Sequence, residues 1–383
     1  MPSSGTAPRR AGVEALLAGL HSAPVRVVAW ERLEPWAVAR VTLRGEAVPR
    51  TVVVKWVRDG PGETRTGSWR LRTEVGALRF LSDDLGLALA PRVVAADLAA
   101  GFVVLEDLAP RAALDGLLRR DGAAGHAGRL AAFARARGEL SASTAGHAGA
   151  YLRRRAALGP VDPAADCVAG FARLRDGAPV QAAALGVPLA GRAFTECGEA
   201  LAELTDPGPF LVLSNGDAEA NNVLVRESGP PDPRVIDFES AGYTHALLDA
   251  VCLHVPGPGW ITVGDPVAAG LADQHRRALA RGVPAAEDDR RYGRGLAAAC
   301  LFWATARLQR FTALDARVRG DHGRAQLVET LEAAARTAAH HRAFPHLAGW
   351  ARRTAALLRR RWPDADLDFT DPDAFPPYTA RIH

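Results

Sequence analysis

Phe210-Leu211-Val212-Leu213-Ser214-Asn215-Gly216-Asp217-Ala218-Glu219-Ala220-Asn221-Asn222-Val223-Leu224-Val225 is an apolar run, a polar loop and a second apolar run. Arg234-Val235-Ile236-Asp237-Phe238-Glu239 follows it closely. The apolar runs are short and rich in branched residues, so they read as strands. Asp217, Asn222 and Asp237 then fall at or beside strand ends. Carboxylate and amide oxygens converging on one spot suit Mg²⁺, a hard cation that borrows further oxygens from substrate phosphates. A single turn rich in Asp, Asn and Gly is ordinary loop chemistry. Two in series, each framed by apolar strands, are less easily dismissed.

Residue usage points to the same loop. Asn215, Asn221 and Asn222 are the only asparagines of the chain, and Lys55 is its only lysine among 47 basic residues. In a chain crowded with Ala, Arg, Gly and Pro, a retained Lys or Asn marks chemistry that the common substitute cannot perform. An ammonium is a compact point charge, whereas a guanidinium is a planar fork. An amide offers a neutral carbonyl oxygen. Lys55 ends Thr51-Val52-Val53-Val54-Lys55-Trp56-Val57, a β-branched run that reads as a buried strand. Taken alone, such a lysine snorkels from a strand edge. A buried cation otherwise needs an anionic partner.

Asn215-Gly216-Asp217, four residues, Asn222-Val223-Leu224, and then Val235-Ile236-Asp237-Phe238-Glu239 resembles the signature of the aminoglycoside phosphotransferase and choline kinase family. That signature is His-Gly-Asp, four residues, Asn-Val-Leu, then Ile-Asp-aromatic-Glu. The stretch from Ala241-Gly242-Tyr243 to Leu248-Asp249-Ala250 also matches, ending in an Asp expected to be buried and to open a helix. The resemblance runs from about residue 25 to about 255 and fades beyond 260. It implies an α+β protein-kinase-like two-lobe fold: a small antiparallel sheet with one main helix, and a larger, mostly helical C-lobe. It implies a catalytic Asp217 that orients the substrate hydroxyl and accepts its proton. Asn222 and Asp237 become the holders of Mg²⁺ on the nucleotide phosphates. Lys55 becomes the strand lysine on the α- and β-phosphates, with a helix glutamate as partner. Glu74 fits, because Leu71, Val75, Leu78 and Leu81 give residues 69–81 helical spacing. Glu63 is a rival that sits among glycines. The run Phe102–Leu108 reads as the last strand and a connector, and the resemblance makes its backbone at Glu106 and Leu108 the adenine-binding hinge.

Two departures stand out. Asn215 replaces the family's His and is expected to brace the loop through backbone hydrogen bonds. The stretch Trp30–Val41, where a phosphate-covering Gly-rich turn belongs, contains no glycine, leaving a turn at Glu34-Pro35.

The expected organisation is a flexible tail over 1–12, a nucleotide-binding lobe over 13–105, a hinge over 106–110 and a catalytic lobe over 111–383. Helical spacing is read over 13–20, 111–119, 124–141, 192–205, 244–254, 264–281, 286–313, 321–341 and 345–361. Residues 142–190 have no clear pattern. The formal net charge is +4. No basic patch with interleaved aromatics suggests nucleic acid, and no apolar run reaches membrane-spanning length. Cys167, Cys197, Cys252 and Cys300 are far apart and read as buried thiols of a reducing compartment, so a cytoplasmic protein is expected. No P-loop motif is present. His340, His341 and His346 read as helix-surface residues, and Arg359-Arg360-Arg361 as a cationic helix end.

The expected reaction transfers the γ-phosphate of ATP, with GTP left open, to a hydroxyl of a small molecule, with Mg²⁺ required. Arginines outnumber carboxylates beyond 261, which fits a neutral or anionic alcohol better than a polycation. The acidic group Asp364, Asp366, Asp368, Asp371 and Asp373 reads as a solvated tail. Composition of this kind is common in GC-rich bacterial genomes, where such kinases confer antibiotic resistance. That association makes an antibiotic the expected acceptor. The alternative is an inactive kinase-like protein that binds nucleotide or a partner as scaffold or sensor. Asn215 and the missing glycines lean towards that alternative; Lys55, Asp217, Asn222 and Asp237 lean against it. Oligomeric state is not legible.

Overall fold

The computed structural model describes residues 6–33, 37–57, 67–161, 177, 179–256, 270–319 and 322–366. The expected turn at Glu34-Pro35, Glu63, Cys167 and the acidic residues beyond Asp366 lie outside them. The described chain forms two compact units. The first takes residues 1–111, 149–161 and 234–241; the second takes 112–148, 162–233 and 242–383. The architecture is α+β, as expected. The first unit differs from a simple N-terminal segment in that two later stretches return to it.

The first unit is built on an antiparallel sheet of five strands in the order β1-β2-β3-β5-β4. The strands are β1 Arg26–Arg32, β2 Val38–Arg44, β3 Thr51–Trp56, β4 Val93–Asp97 and β5 Phe102–Glu106. Alternation along β2 and β3 buries Ala39, Val41, Leu43, Val52 and Val54 in one cluster with Val13 and Leu17 of helix α1, Thr6–His21. Helix α2, Gly67–Arg79, packs on β4 and β5. Because successive side chains alternate between faces, Lys55 points away from the Val52–Val54 face. In register it stands opposite Val38 of β2 and Val103 of β5.

α1 begins at Thr6, inside the segment expected to be a flexible tail. Residues 6–12 carry no apolar stripe of their own, but Gly12 abuts the Phe102 ring closely enough that a Cβ would lie 3.3 Å from it. α2 is buried on nearly all sides. The returning segment 149–161 covers it: Arg155 is 1% exposed, and its Nε donates to Thr73 Oγ1 at 3.1 Å. Gly76 admits that approach, since a Cβ there would lie 3.3 Å from Arg155 Cδ.

The second unit is mostly helical. Helices Gly191–Thr205, Asp289–Arg307, His322–His340 and Pro345–Arg361 enclose a core that includes Leu204, Leu296, Cys300, Leu331 and Trp350. Helix Ala127–Thr144 packs tightly on Leu271–Ala280, with Gly138 at the closest approach. Strand Leu211–Ser214 pairs antiparallel with Gly242–His245. Thr144 ties this ribbon to its helix: its Oγ1 accepts from Leu213 N and its carbonyl from the Tyr243 hydroxyl.

Several sequence expectations are corrected here. Residues 244–254 are not a helix; they end a strand and continue as two 3₁₀ turns, Ala246–Leu248 and Val251–Leu253. The stretch 286–313 breaks at Leu308 into Asp289–Arg307, a 3₁₀ turn and Phe311–Asp315. Residues 111–113 are extended, and the helix expected there starts at Leu114. Cys300 is buried, but Cys197 and Cys252 are only half-buried. His341 is half-buried against Tyr292, not on the surface. Arg359 and Arg361 end their helix bound to Glu332 and Asp315, so they are ion-pair donors as well as a cationic end. Asp364 and Asp366 face Arg324 and Arg359, each at the end of a long side chain.

Candidate active site

In the first unit, β3 delivers Lys55 and α2 delivers Glu74 to one place. Lys55 Nζ lies 2.7 Å from a Glu74 carboxylate oxygen and 2.7 Å from Asp237 Oδ1. The expected pairing of the lone lysine with Glu74 is thus present. Burial works against the ammonium, but Glu74, Asp237 and Glu239 outweigh it and raise its pKa, so Lys55 is held charged. Burial likewise pushes the Glu74 carboxyl up, against the pull of Lys55.

Asp237 follows a two-residue strand, Arg234–Val235, and precedes Phe238, which is fully buried. Its φ of 64° places it in the left-handed region, where Asp is among the few residues found without glycine's freedom. That turn exposes its side chain by 37% while its neighbour anchors the chain. Glu239 was quoted in the sequence motif but not assigned a role. Its carboxylate joins Glu74 and Asp237, with one oxygen of each lying within 4.8 Å of the other two. Lys55 stands against Glu74 and Asp237, and Arg70 lies 3.4 Å from Glu239. An all-oxygen carboxylate set is the donor chemistry Mg²⁺ takes, so the residues present fit that ion.

The second unit holds the Asp217 loop. Asn215 is fully buried, and Asp217 is exposed. Arg137, fully buried on helix Ala127–Thr144, donates from Nη1 to Asn215 Oδ1 at 2.8 Å and from Nη2 to the Asp217 carbonyl at 3.1 Å. Asn222 Nδ2 donates to the same carbonyl at 3.1 Å. Asp217 N approaches Asn215 Oδ1 at 3.4 Å, the weakest contact of the set. Asn215 therefore braces the loop through Arg137 as well as through the Asp217 backbone. Beneath it, Ser214 Oγ donates to the buried Asp249 at 2.5 Å and accepts from Gly216 N at 2.9 Å. Asp249 is buried as expected, between 3₁₀ turns instead of at a helix start.

Arg137 escaped the sequence reading. As one of 46 arginines it has no contrast. The signal was positional: it follows Phe133 by one turn on a face that also buries Ala136 and Leu140.

At the expected hinge, Glu106 ends β5 and its carboxylate accepts from Arg92 N at 3.1 Å. Leu108 is buried, and its carbonyl accepts from Arg111 Nη1 at 3.1 Å. Asp107 accepts from Arg40 at 3.0 Å, which ties the connector to β2.

Neither a family model nor a curated protein matches this chain. Among solved structures it is similar to small-molecule kinases. A choline kinase from Streptococcus pneumoniae matches at 14% identity and a TM-score of 0.44, over 86% of this chain and 99% of that one. A macrolide 2′-phosphotransferase from Brachybacterium faecium matches at 17% and 0.44, over 91% and 97%. A choline/ethanolamine kinase family protein from Mesorhizobium loti matches at 19% and 0.41, over 93% and 99%. Likenesses of this size carry no functional weight; the residues do.

Proposed function

We propose that the protein is an ATP-dependent phosphotransferase that phosphorylates a hydroxyl of a small molecule. The observation that carries this reading is Lys55 Nζ held between Glu74 and Asp237. A lone lysine, charged and fixed at a strand end, is suited to point at phosphate oxygens. Glu74 keeps it from folding back onto solvent. Asp217, exposed on a braced loop, is positioned to orient an acceptor hydroxyl and take its proton. Asp237, with Glu74 and Glu239 beside it, would hold Mg²⁺. Asn222, on the Asp217 loop, is proposed as a metal ligand on the motif resemblance alone. When bound, that ion neutralises phosphate charge. Backbone groups at Glu106 and Leu108 are proposed to receive adenine. The Arg137 brace also answers the departure at Asn215 that favoured an inactive protein, because the loop is tied in place without the family's His.

The finer form of the proposal makes an antibiotic the acceptor and resistance the outcome, in a cytoplasmic setting. It rests on composition and on the motif resemblance. Growth of a susceptible bacterium expressing the chain, challenged with neutral and anionic hydroxylated antibiotics, tests it; unchanged inhibitory concentrations across the panel would reject it. The phosphotransferase reading is tested by Mg²⁺-dependent ADP release with a panel of alcohols. Asp217→Ala should lower acceptor-dependent turnover by about 10²–10⁴-fold while Mg·ATP still binds. Near-normal turnover in that variant would remove Asp217 from the reaction.

A further inference from the structure

Buried polar groups almost always find a partner. Three polar side chains that stand near one another in the second unit have no hydrogen bond among the described residues. The Glu219 carboxyl stands two residues beyond Asp217 and the residue is 9% exposed. It makes no hydrogen bond among the described residues. Arg307, half-buried at the end of helix Asp289–Arg307, likewise has no hydrogen bond or ion pair among the described residues. Its guanidinium lies 4.2 Å from the centroid of the Trp303 ring. Trp303 Nε1 is itself buried without a partner among the described residues. Trp303 and Arg307 are one turn apart on the same helix face. Arg307 is close enough to feel both Glu219 and Asp217. Arg310, further along, repels it instead of neutralising it.

We propose that Glu219, Trp303 and Arg307 form the acceptor subsite, and that it takes an uncharged, oxygen-rich acceptor: a polyol or sugar ring. This rests on the phosphotransferase reading of Asp217. A carboxyl waiting for a donor and two donors waiting for an acceptor are matched by neighbouring hydroxyls, each of which both donates and accepts. An ammonium-bearing acceptor would meet two guanidiniums, Arg307 and Arg310. A strongly anionic one would meet Asp217 and Glu219. Glu219 and Arg307 stay unpaired, so the polar groups are already in place when the acceptor arrives.

The experiment compares ADP release and thermal protection with uncharged probes (myo-inositol, methyl glucoside), anionic ones (gluconate, glucose 6-phosphate) and cationic ones (glucosamine, choline). Uncharged probes should lead. Arg307→Met should raise their KM about tenfold or more, the loss expected for a charge-assisted hydrogen bond, with the KM for ATP unchanged. Trp303→Phe keeps the ring and deletes only the N–H, and should raise the same KM several-fold in a protein that melts normally. Preference for cationic or anionic probes would overturn the proposal. So would an unchanged acceptor KM in both variants, or neither turnover nor protection with any uncharged probe. A rise in the KM for ATP instead would give Arg307 to the nucleotide phosphates. A wild-type protein that fails to bind Mg·ATP by calorimetry would sink the phosphotransferase reading itself, which none of the other results does.

Discussion

Lys55 holds two carboxylates with one ammonium, and that geometry does not suit an arginine. Lys55→Arg keeps the charge, yet its planar fork spans a carboxylate bidentately and would settle on Glu74 or Asp237 alone. Turnover should fall about 10²–10³-fold, as when a preorganised phosphate donor is lost, and Lys55→Met should fall as far. Full activity in the Arg variant, with melting unchanged in both, would remove Lys55 from the phosphates and from any structural role. The Arg137–Asn215 pair makes a second prediction at this scale. Either Arg137→Met or Asn215→Leu leaves a buried group unsatisfied and should cost about 1–3 kcal/mol of stability. Replacing both at once removes donor and acceptor together, so stability should largely return. The Asp217 loop would still lack its brace, so kcat should stay low with the KM for ATP little changed. Activity that recovers along with stability in urea titrations would show that the pair only fills the core.

At the scale of elements, close approaches decide what the helices tolerate. Gly138 lies where helix Ala127–Thr144 crosses Leu271–Ala280, and an added Cβ would fall 2.4 Å from the His275 carbonyl. Gly138→Ala should cost about 1–3 kcal/mol by overpacking, and because Arg137 is the adjacent residue, activity should fall further than stability. Gly198 sits mid-helix in Gly191–Thr205 with nothing within 4 Å of its Cβ position. Gly198→Ala should stabilise by up to about 1 kcal/mol. Thermal melts of the two variants check both signs. Elements also show why some of the fold was legible and some was not. β3 was legible because its β-branched run is self-contained, and α2 because its apolar spacing is. The Asp217 loop was legible from its residue types, and the Lys55–Glu74 pair from the motif resemblance together with the helical spacing around Glu74. The stretch 244–254 was misread because Leu247, Leu248 and Val251 imitate helical spacing. What overrides it is the non-local pairing of Gly242–His245 with Leu211–Ser214, and no local pattern contains that. The start of α1 at Thr6 depends likewise on packing against Phe102. Arg137 was hidden by abundance, and the role of Glu239 by its place at the end of a motif already explained.

Across the whole molecule, buried titratable groups set how stability varies with pH. His275 is fully buried with both ring nitrogens unpartnered among the described residues, and His245 is fully buried with one nitrogen accepting from Leu247 N. Burial pushes each down to about 4, with the Arg137 charge adding to the effect at His275. In the unfolded chain a histidine titrates near 6.5. As pH falls from about 6.5 towards 4, the unfolded chain takes up protons that the folded protein refuses, so stability is lost over that window. Glu219 works with the opposite sign. Its carboxyl is up at about 7 in the fold and near 4.5 unfolded, so the stability it gives at low pH is lost as pH rises between those values. His341, pushed down to about 4 by burial and by His340, stands with these two histidines, while the buried Glu74, Asp249 and Glu329 carboxyls, each pushed up by burial, stand with Glu219. Urea titrations from pH 7.5 to pH 4.5 separate the two sets when wild type and single variants are compared. His275→Leu removes one histidine contribution, so relative to wild type its unfolding free energy should drop less as pH falls from about 6.5 towards 4. Glu219→Gln removes a contribution of the opposite sign, so its unfolding free energy should drop more over the same window. A His275→Leu profile parallel to wild type would mean that His275 is protonated in the fold, contrary to its buried setting.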